Sequence, residues 1–338
     1  MLLREDVTTS DARVNKSNQE KDASLASYSE KDKVWDKHRG QAVDVEAIYA
    51  QAKDFEKYAA RINGCSGLLR FGWADDAETG ESKLKLKEAH FCRVRYCPTC
   101  QWRRSLMHQA RFLQALPAIV DEFPRHRWLL LTLTVQNCPI DELRDTLQAM
   151  NQAWNRLRLR PEFRQVTGWV RSTEVTRGAD GSAHPHFHCL LMVPPSMLAK
   201  NYVTQARWVE LWEQCARLDY KPVVDVRAVR GKKGDKSQNA GITGAIETLK
   251  YAVKPSDMTD DPDWFLELTR QTHKLRFLAA GGALKEAIRD TEKATDDDMV
   301  HTGDDAAEGE DDGSRIAFNF RRDERKYRRF SKADKSPD

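Results

Sequence analysis

The chain has 338 residues, of which 32% are charged and 40% are hydrophobic. This length allows one large domain or two smaller ones with a sizeable core. No apolar run approaches the ~18 residues that a bilayer crossing needs, and Met1 leads into polar sequence rather than a signal peptide. The composition therefore argues against a membrane protein, and we expect a cytoplasmic location.

The formal net charge of +3 hides a segregation of charge along the chain. Residues 296–312 contain nine acidic side chains and no lysine or arginine, so the rest of the chain carries +12. A basic body is typical of a nucleic-acid-binding protein. Residues 315–335 combine nine basic side chains with aromatic ones. That composition suits single-stranded nucleic acid and, equally, pairing with the acidic run.

Composition and periodicity divide the chain into four segments. Residues 1–33 are polar and predict a disordered N-terminal arm. Residues 34–122 predict a helical module with a cysteine cluster, and residues 123–290 predict the main domain. Residues 291–338 predict an acidic and then basic flexible tail.

Four of the seven cysteines cluster in the helical module. Cys97 and Cys100 form a Cys-x-x-Cys turn, and Cys65 and Cys92 can complete a tetrahedral thiolate site for structural zinc. His90 is an alternative for one of these ligands. A redox pair is the other interpretation, but a thioredoxin-type motif lacks two additional cysteines upstream.

Four arginines flank the cysteine cluster and are candidates for contacts with a phosphate backbone. A solvated charged surface explains their positions equally well. These DNA-binding candidates are Arg93, Arg95, Arg103 and Arg104.

Hydrophobic periodicity then predicts an alternation of helices and strands. Helices are expected over residues 34–62, 101–123, 141–157, 197–218 and 263–280. Strands are expected over residues 127–137, 168–177, 184–193 and 223–229.

Three histidines lie at alternate positions of the strand over residues 184–193. His184, His186 and His188 share one face because alternate side chains of a strand point the same way. A short turn joins this strand to the one before it, and the resulting hairpin places Glu174 opposite His186 and His188. Neutral imidazole is a common metal ligand. We predict a divalent-cation site at Glu174, His186 and His188, with a solvent-facing edge strand as the alternative.

A helical stretch that ends before Pro255 carries three reactive side chains on one face. Glu247, Tyr251 and Lys254 are spaced i, i+4 and i+7, so they form one stripe. On its own this stripe could be an ordinary surface face; the histidine strand makes it a catalytic candidate.

Three motifs in this order resemble those of plasmid rolling-circle replication initiators (Rep proteins), which belong to the His-hydrophobic-His (HUH) endonuclease superfamily. They read Leu-Thr-Leu-Thr-Val at residues 131–135, His-Pro-His-Phe-His at 184–188, and Glu-Thr-Leu-Lys-Tyr-Ala-Val-Lys at 247–254. Cys-Pro-Thr-Cys-Gln-Trp-Arg-Arg-Ser at 97–105 and Trp-Asp-Lys-His-Arg at 35–39 match the plasmid branch as well. The resemblance covers roughly residues 34–255.

The resemblance implies an α+β fold. An HUH-type antiparallel five-stranded sheet with packed helices would form a nuclease domain, with the histidine strand at its centre and the tyrosine helix beside it. The helical, zinc-binding module would precede this sheet.

The resemblance also implies metal-dependent nicking of plasmid origin DNA at a single-stranded or hairpin site. Tyr251 would form a 5′-phosphotyrosine link, Lys254 would hold a phosphate, and Glu247 would assist hydrolysis at termination. The cation on Glu174, His186 and His188 would be Mn²⁺ or Mg²⁺. A host helicase and a single-strand-binding protein are the implied protein partners, and no membrane is involved.

Two other classes of protein share part of this pattern. One is another HUH enzyme, either a relaxase or a single-tyrosine transposase. Relaxases commonly carry the tyrosine before the histidines, whereas Tyr251 follows His188 by 63 residues; such transposases are usually shorter and lack the cysteine module. The other is a non-catalytic, zinc-containing DNA-binding regulator in which the histidines are structural.

Overall fold

The computed structural model describes residues 23–76, 82–229, 255–286, 295–302, 308–311 and 315–330. The chain divides into two compact units, the first comprising Met1–Arg103 with Thr295–Asp338 and the second Arg104–Ala294. Within the described residues, no helix is both long and apolar enough to cross a membrane.

Both units contain helices and strands. The helices are α1 Leu25–Tyr28, α2 Val34–Ala50, α3 Glu56–Asn63, α4 Pro98–Glu122, α5 Leu143–Arg158, α6 Gln205–Ala216, α7 Pro255–Thr259, α8 Pro262–Gln271 and α9 Asp296–Val300. The strands are β1 Leu68–Asp76, β2 Ser82–Ala89, β3 Arg127–Thr134, β4 Gly168–Arg177, β5 Ala183–Val193, β6 Val224–Ala228, β7 Leu278–Gly282, β8 Glu308–Asp311, β9 Ile316–Arg321 and β10 Lys326–Arg329.

The first unit contains an antiparallel sheet in the order β10-β9-β1-β2, with β8 also paired to β1. Phe71 of β1 and Phe318 of β9 meet edge to face in its core, with ring centroids 5.8 Å apart. Tyr327 of β10 is fully buried, and its hydroxyl donates to the carbonyl oxygen of Ser66 at 2.6 Å. The C-terminal strands thus complete a sheet begun more than 200 residues earlier.

This sheet corrects the prediction of a flexible tail and of a wholly disordered N-terminal arm. Phe318, Phe320 and Tyr327 are 0%, 7% and 0% exposed, so their rings form core rather than a nucleic-acid surface. The sequence did not reveal their strands, because basic side chains occupy many of the solvent-facing positions near these aromatic residues. In the arm, Leu25 is fully buried and Ser24 pairs with Arg328 in an isolated β-bridge.

The second unit contains the predicted five-stranded antiparallel sheet, in the order β6-β3-β5-β4-β7. Its central strand is β5, the histidine strand, as expected. The fifth strand, β7, lies where a helix was predicted as far as residue 280; α8 ends at Gln271 instead. A Cβ atom built on Gly281 would lie 2.5 Å from the ring of Trp169, so β7 can approach β4 only with glycine there.

The two faces of this sheet have different surroundings. On one face Trp128, Leu190 and Met192 pack in a core cluster with Phe112 and Leu116 of α4. Along β5 the same face continues from Leu190 to His188 and His186, because alternate side chains share a face. This face therefore changes from apolar core to polar site within one strand.

The opposite face of the sheet is covered by α5 and α6. Phe187 of β5 packs against Trp154 and Trp212, with ring centroids 6.5 and 6.3 Å away. Phe187 is fully buried, so its packing on the opposite face of the sheet anchors β5 between His186 and His188.

Candidate metal centres

Glu174, His186 and His188 converge on one point of the second unit. The β4–β5 register pairs Glu174 with His186, as the hairpin predicted. Glu174 Oε2 lies 2.9 Å from His186 Nε2 and 2.8 Å from His188 Nε2. All three ligand atoms lie within 4.8 Å of one another. Adjacent ligands of an ion with bonds of about 2.1 Å are about 3 Å apart, so these side chains fit a shared divalent cation.

The outer nitrogens of the two imidazoles hold the rings in place. His186 Nδ1 lies 3.3 Å from the carbonyl oxygen of His184. That oxygen can only accept, so Nδ1 of His186 donates and Nε2 faces the site. His188 Nδ1 lies 3.2 Å from Thr132 Oγ1. Such outer partners orient metal-binding histidines.

The role of Thr132 was not recognised from sequence, although Thr132 belongs to the first quoted motif. The available signal was position: Thr132 lies directly opposite His188 in the β3–β5 register. His184, whose role was left open, is outside the converging group and has its Nδ1 2.6 Å from Asn137 Oδ1. Its carbonyl oxygen connects it to the site.

The electrostatics of the site favour an ionised carboxylate. Burial alone raises the pKa of Glu174, but the hydrogen bonds and charges of His186 and His188 outweigh it and lower that pKa to about 2. One anionic oxygen and two imidazole nitrogens suit Mn²⁺ better than Mg²⁺, which prefers oxygen ligands alone. The three side chains retain 11–23% exposure, which leaves room for a further ligand.

The four clustered cysteines converge in the first unit. Sγ of Cys100 lies 3.6 Å from those of Cys65 and Cys92, and Sγ of Cys97 lies 3.7 Å from that of Cys65. A tetrahedral zinc site with 2.3 Å bonds separates its sulfurs by about 3.8 Å. All four cysteines are buried. The His90 side chain is 70% exposed and lies outside the group, so the four-cysteine set is the one that fits.

The backbone around the cysteines also suits thiolate ligands. Arg93 has a left-handed backbone (φ 57°), and its N–H donates to Cys100 Sγ at 3.3 Å. The N–H of Cys92 donates to Cys65 Sγ at 3.4 Å. Burial raises the pKa of the Cys97 thiol, and hydrogen bonding with Cys100 raises that of Cys65. These groups would stay protonated without a cation, and a zinc ion would stabilise their thiolate forms.

The four flanking arginines have different surroundings. Arg103 is 6% exposed, and its guanidinium donates to the carbonyl oxygens of Met299 and Val300 at 2.7 and 2.8 Å. Arg103 therefore stabilises the first unit, and its contact with DNA stays a prediction. Arg93 is about half exposed. Arg95 and Arg104 are partly buried, and their contact with DNA stays a prediction.

The predicted tyrosine motif lies outside the described residues. Glu247, Tyr251 and Lys254 fall in residues 230–254, so their position beside the Glu174 site stays a prediction.

Comparisons with known proteins identify the family of this chain. A family model described as Replication protein matches residues 83–328. A Protein rep of Lactiplantibacillus plantarum is 38% identical over 76% of this chain and 83% of its own length. Protein rep of Lentilactobacillus hilgardii is 35% identical over 77% and 83%, and that of Streptococcus pneumoniae serotype 2 is 33% identical over 81% and 85%. No solved structure gives a significant match.

Proposed function

This chain belongs to the Replication protein family and is a plasmid replication initiator of the Rep type, and we propose that it starts replication by cutting one strand of origin DNA through a tyrosine ester. Family membership favours this role over that of a relaxase or a transposase. The proposed setting is the cytoplasm, where a plasmid is replicated.

The observation that carries the proposal is the meeting of Glu174 Oε2 with the Nε2 atoms of His186 and His188. A divalent ion bound there, Mn²⁺ or Mg²⁺, would polarise the scissile phosphate and neutralise its developing charge. Thr132 and the carbonyl oxygen of His184 would hold the imidazoles in the orientation that this requires.

Tyr251 is the proposed nucleophile. A phenol is weak at neutral pH and needs an electrophile nearby. Attack by its oxygen would form a phosphorus–tyrosine bond and break the bond to the 3′ oxygen. That oxygen takes a proton and becomes the 3′-OH that primes synthesis. Lys254 would hold a phosphate oxygen during the step.

Glu247 is the proposed general base at termination. It precedes Tyr251 by four residues in the sequence, and we propose that it takes a proton from the water that cleaves the strand a second time. A Glu247→Ala variant is expected to nick at the wild-type rate and then accumulate covalent protein–DNA adducts. A denaturing gel over a time course measures this. Ordinary turnover in the variant would remove Glu247 from the mechanism.

The cysteine site is proposed to bind structural zinc and to stabilise the first unit, which would contribute to origin recognition. A host helicase and a single-strand-binding protein are the proposed partners once the strand has been opened.

A nicking assay tests the proposal directly. The substrate is supercoiled plasmid carrying the gene's own upstream region, with and without Mn²⁺, and the readouts are nicked product and protein on the 5′ end. We expect metal-dependent nicks with an adduct, and Tyr251→Phe should abolish both while keeping origin binding. Tyr202→Phe is the control, because Tyr202 is 58% exposed and lies outside the motif. Origin binding without any nicking by the wild-type protein would instead support a zinc-containing DNA-binding regulator.

A further inference from the structure

Asp296 lies between two basic side chains of the first unit, beside the cysteine cluster. Its Oδ1 is 2.7 Å from Arg93 Nη2, and its Oδ2 is 3.3 Å from His90 Nδ1. Both oxygens of one carboxylate are thus engaged. The side chains of Arg93, His90 and Asp296 remain 48%, 70% and 33% exposed, so a ligand from solvent can reach them.

The position of Asp296 is fixed by the helix that it begins. Thr295 caps α9 through a capping box with Asp298. At the other end of α9, buried Arg103 donates to two carbonyl oxygens, and Met299 is fully buried. An isolated surface ion pair contributes little stability. Here the carboxylate is held by a docked helix.

The position of Arg93 is fixed by the cysteine cluster. Arg93 follows Cys92 directly, and its own N–H is bonded to Cys100 Sγ. Its guanidinium therefore extends from a turn that the thiolate site makes rigid. A guanidinium and an imidazole on either side of one anion match two oxygens of a phosphate as well as those of a carboxylate.

We propose that Arg93 and His90 form a DNA phosphate site, and that Asp296 occupies this site as an internal anion that DNA must displace. The inference rests on the proposed function, which requires the protein to bind origin DNA. It assigns to the acidic run a role that its composition alone does not show. Competition by the tethered carboxylate lowers the apparent affinity for DNA, because only the fraction of protein with an open site can bind.

Two matched variants of the full-length protein test the competition. Asp296→Asn removes the carboxylate that contacts Arg93. Asp297→Asn makes the same change of charge in the same helical turn, but Asp297 is 83% exposed and pairs with His301 at 3.3 Å. Affinity for origin duplex is measured by fluorescence anisotropy over a range of salt concentrations. We expect Asp296→Asn to bind about 2- to 5-fold tighter than Asp297→Asn, as the loss of one competing ion pair predicts.

A third variant tests the phosphate site itself. Arg93→Gln should weaken binding and lower the slope of log affinity against log salt by about 1, since one phosphate contact is lost. Adding Asp296→Asn to Arg93→Gln should then give no more gain than adding Asp297→Asn does. Zinc content and thermal unfolding confirm that each variant is folded, and a variant that has lost zinc is excluded from the comparison.

The outcomes separate this inference from the proposed function. In one outcome, the wild-type protein binds and nicks the origin while Asp296→Asn and Asp297→Asn bind it with equal affinity. That result overturns the internal anion and leaves the proposed function intact. An unchanged salt slope in Arg93→Gln overturns the phosphate site. If neither wild type nor Asp296→Asn binds DNA, both proposals fail. Binding that appears only in Asp296→Asn supports the competition.

Discussion

The hydroxyl of Thr132 is a small feature with a specific role at the candidate metal centre. It contacts His188 Nδ1 at 3.2 Å, on the side of the ring away from Glu174. Thr134, on the same face of β3, instead donates to the carbonyl oxygen of Val223 at 2.8 Å. The two threonines therefore offer a matched pair for testing how much ring orientation contributes to metal binding.

A Thr132→Val variant is expected to lose about 10-fold in Mn²⁺ affinity, because partners of this kind are worth about 10- to 100-fold in other metal sites. Thr134→Val should stay close to wild type. Titration calorimetry with Mn²⁺ measures both. Equal affinities for the two variants would mean that other contacts, such as the ring of His186 at 4.7 Å between centroids, position the imidazole without the hydroxyl.

Local pattern made part of the candidate site predictable at the residue scale. Glu174, His186 and His188 lie in one hairpin, so strict alternation and a short turn determined their register. Thr132 required the pairing of β3 with β5 across 56 residues, which no local pattern specifies. Asp296 was still harder, because its partner Arg93 lies 203 residues away in the sequence.

At the scale of elements, too, local pattern predicted some strands, whereas others depend on pairing with distant parts of the chain. The four predicted strands of the second unit were found because runs of β-branched and large apolar residues mark them. The Leu-Ala-Ala-Gly-Gly of β7 has only one such residue, Leu278, and it forms a strand because it pairs with the edge of β4. In β9 and β10, the high density of charged residues led to the prediction of a flexible tail despite the alternating aromatic residues. The partner of β9 is β1, which lies far away in the sequence, and β10 pairs with β9.

The C-terminal strands are expected to be essential for the first unit. A chain truncated after residue 314 loses β9 and β10, so it exposes one edge of β1 and the packing surface of Phe71. Hydrogen exchange should then show loss of protection over residues 34–100, with the second unit unchanged. Tyr327→Phe is the graded control. It keeps both strands, removes only the hydroxyl bond to Ser66, and should lower the free energy of unfolding by about 1–2 kcal/mol. Retained protection in the truncated chain would show that the remaining strands suffice.

At the scale of the whole molecule, the two metal groups differ in chemistry and in access. The cysteine group is soft and at most 4% exposed, whereas the Glu174 group offers nitrogen and oxygen ligands and is partly open. Thiolates favour zinc, and imidazole with carboxylate favours harder divalent ions. A zinc ion bound by the cysteines would therefore exchange slowly, and an ion bound at Glu174 would exchange rapidly.

Brief dialysis against EDTA should accordingly abolish nicking without unfolding the protein, and added Mn²⁺ should restore it. Zinc content, measured by a colorimetric chelator after denaturation, should stay near one per chain throughout.

A Cys97→Ser variant should lose zinc and folded yield, because a structural zinc contributes folding energy directly. Cys138→Ser is the control, since Cys138 is buried but lies outside the four-cysteine group. Recovery of nicking with zinc alone, or a stable Cys97→Ser protein with its metal retained, would contradict the assignment of one metal class to each unit.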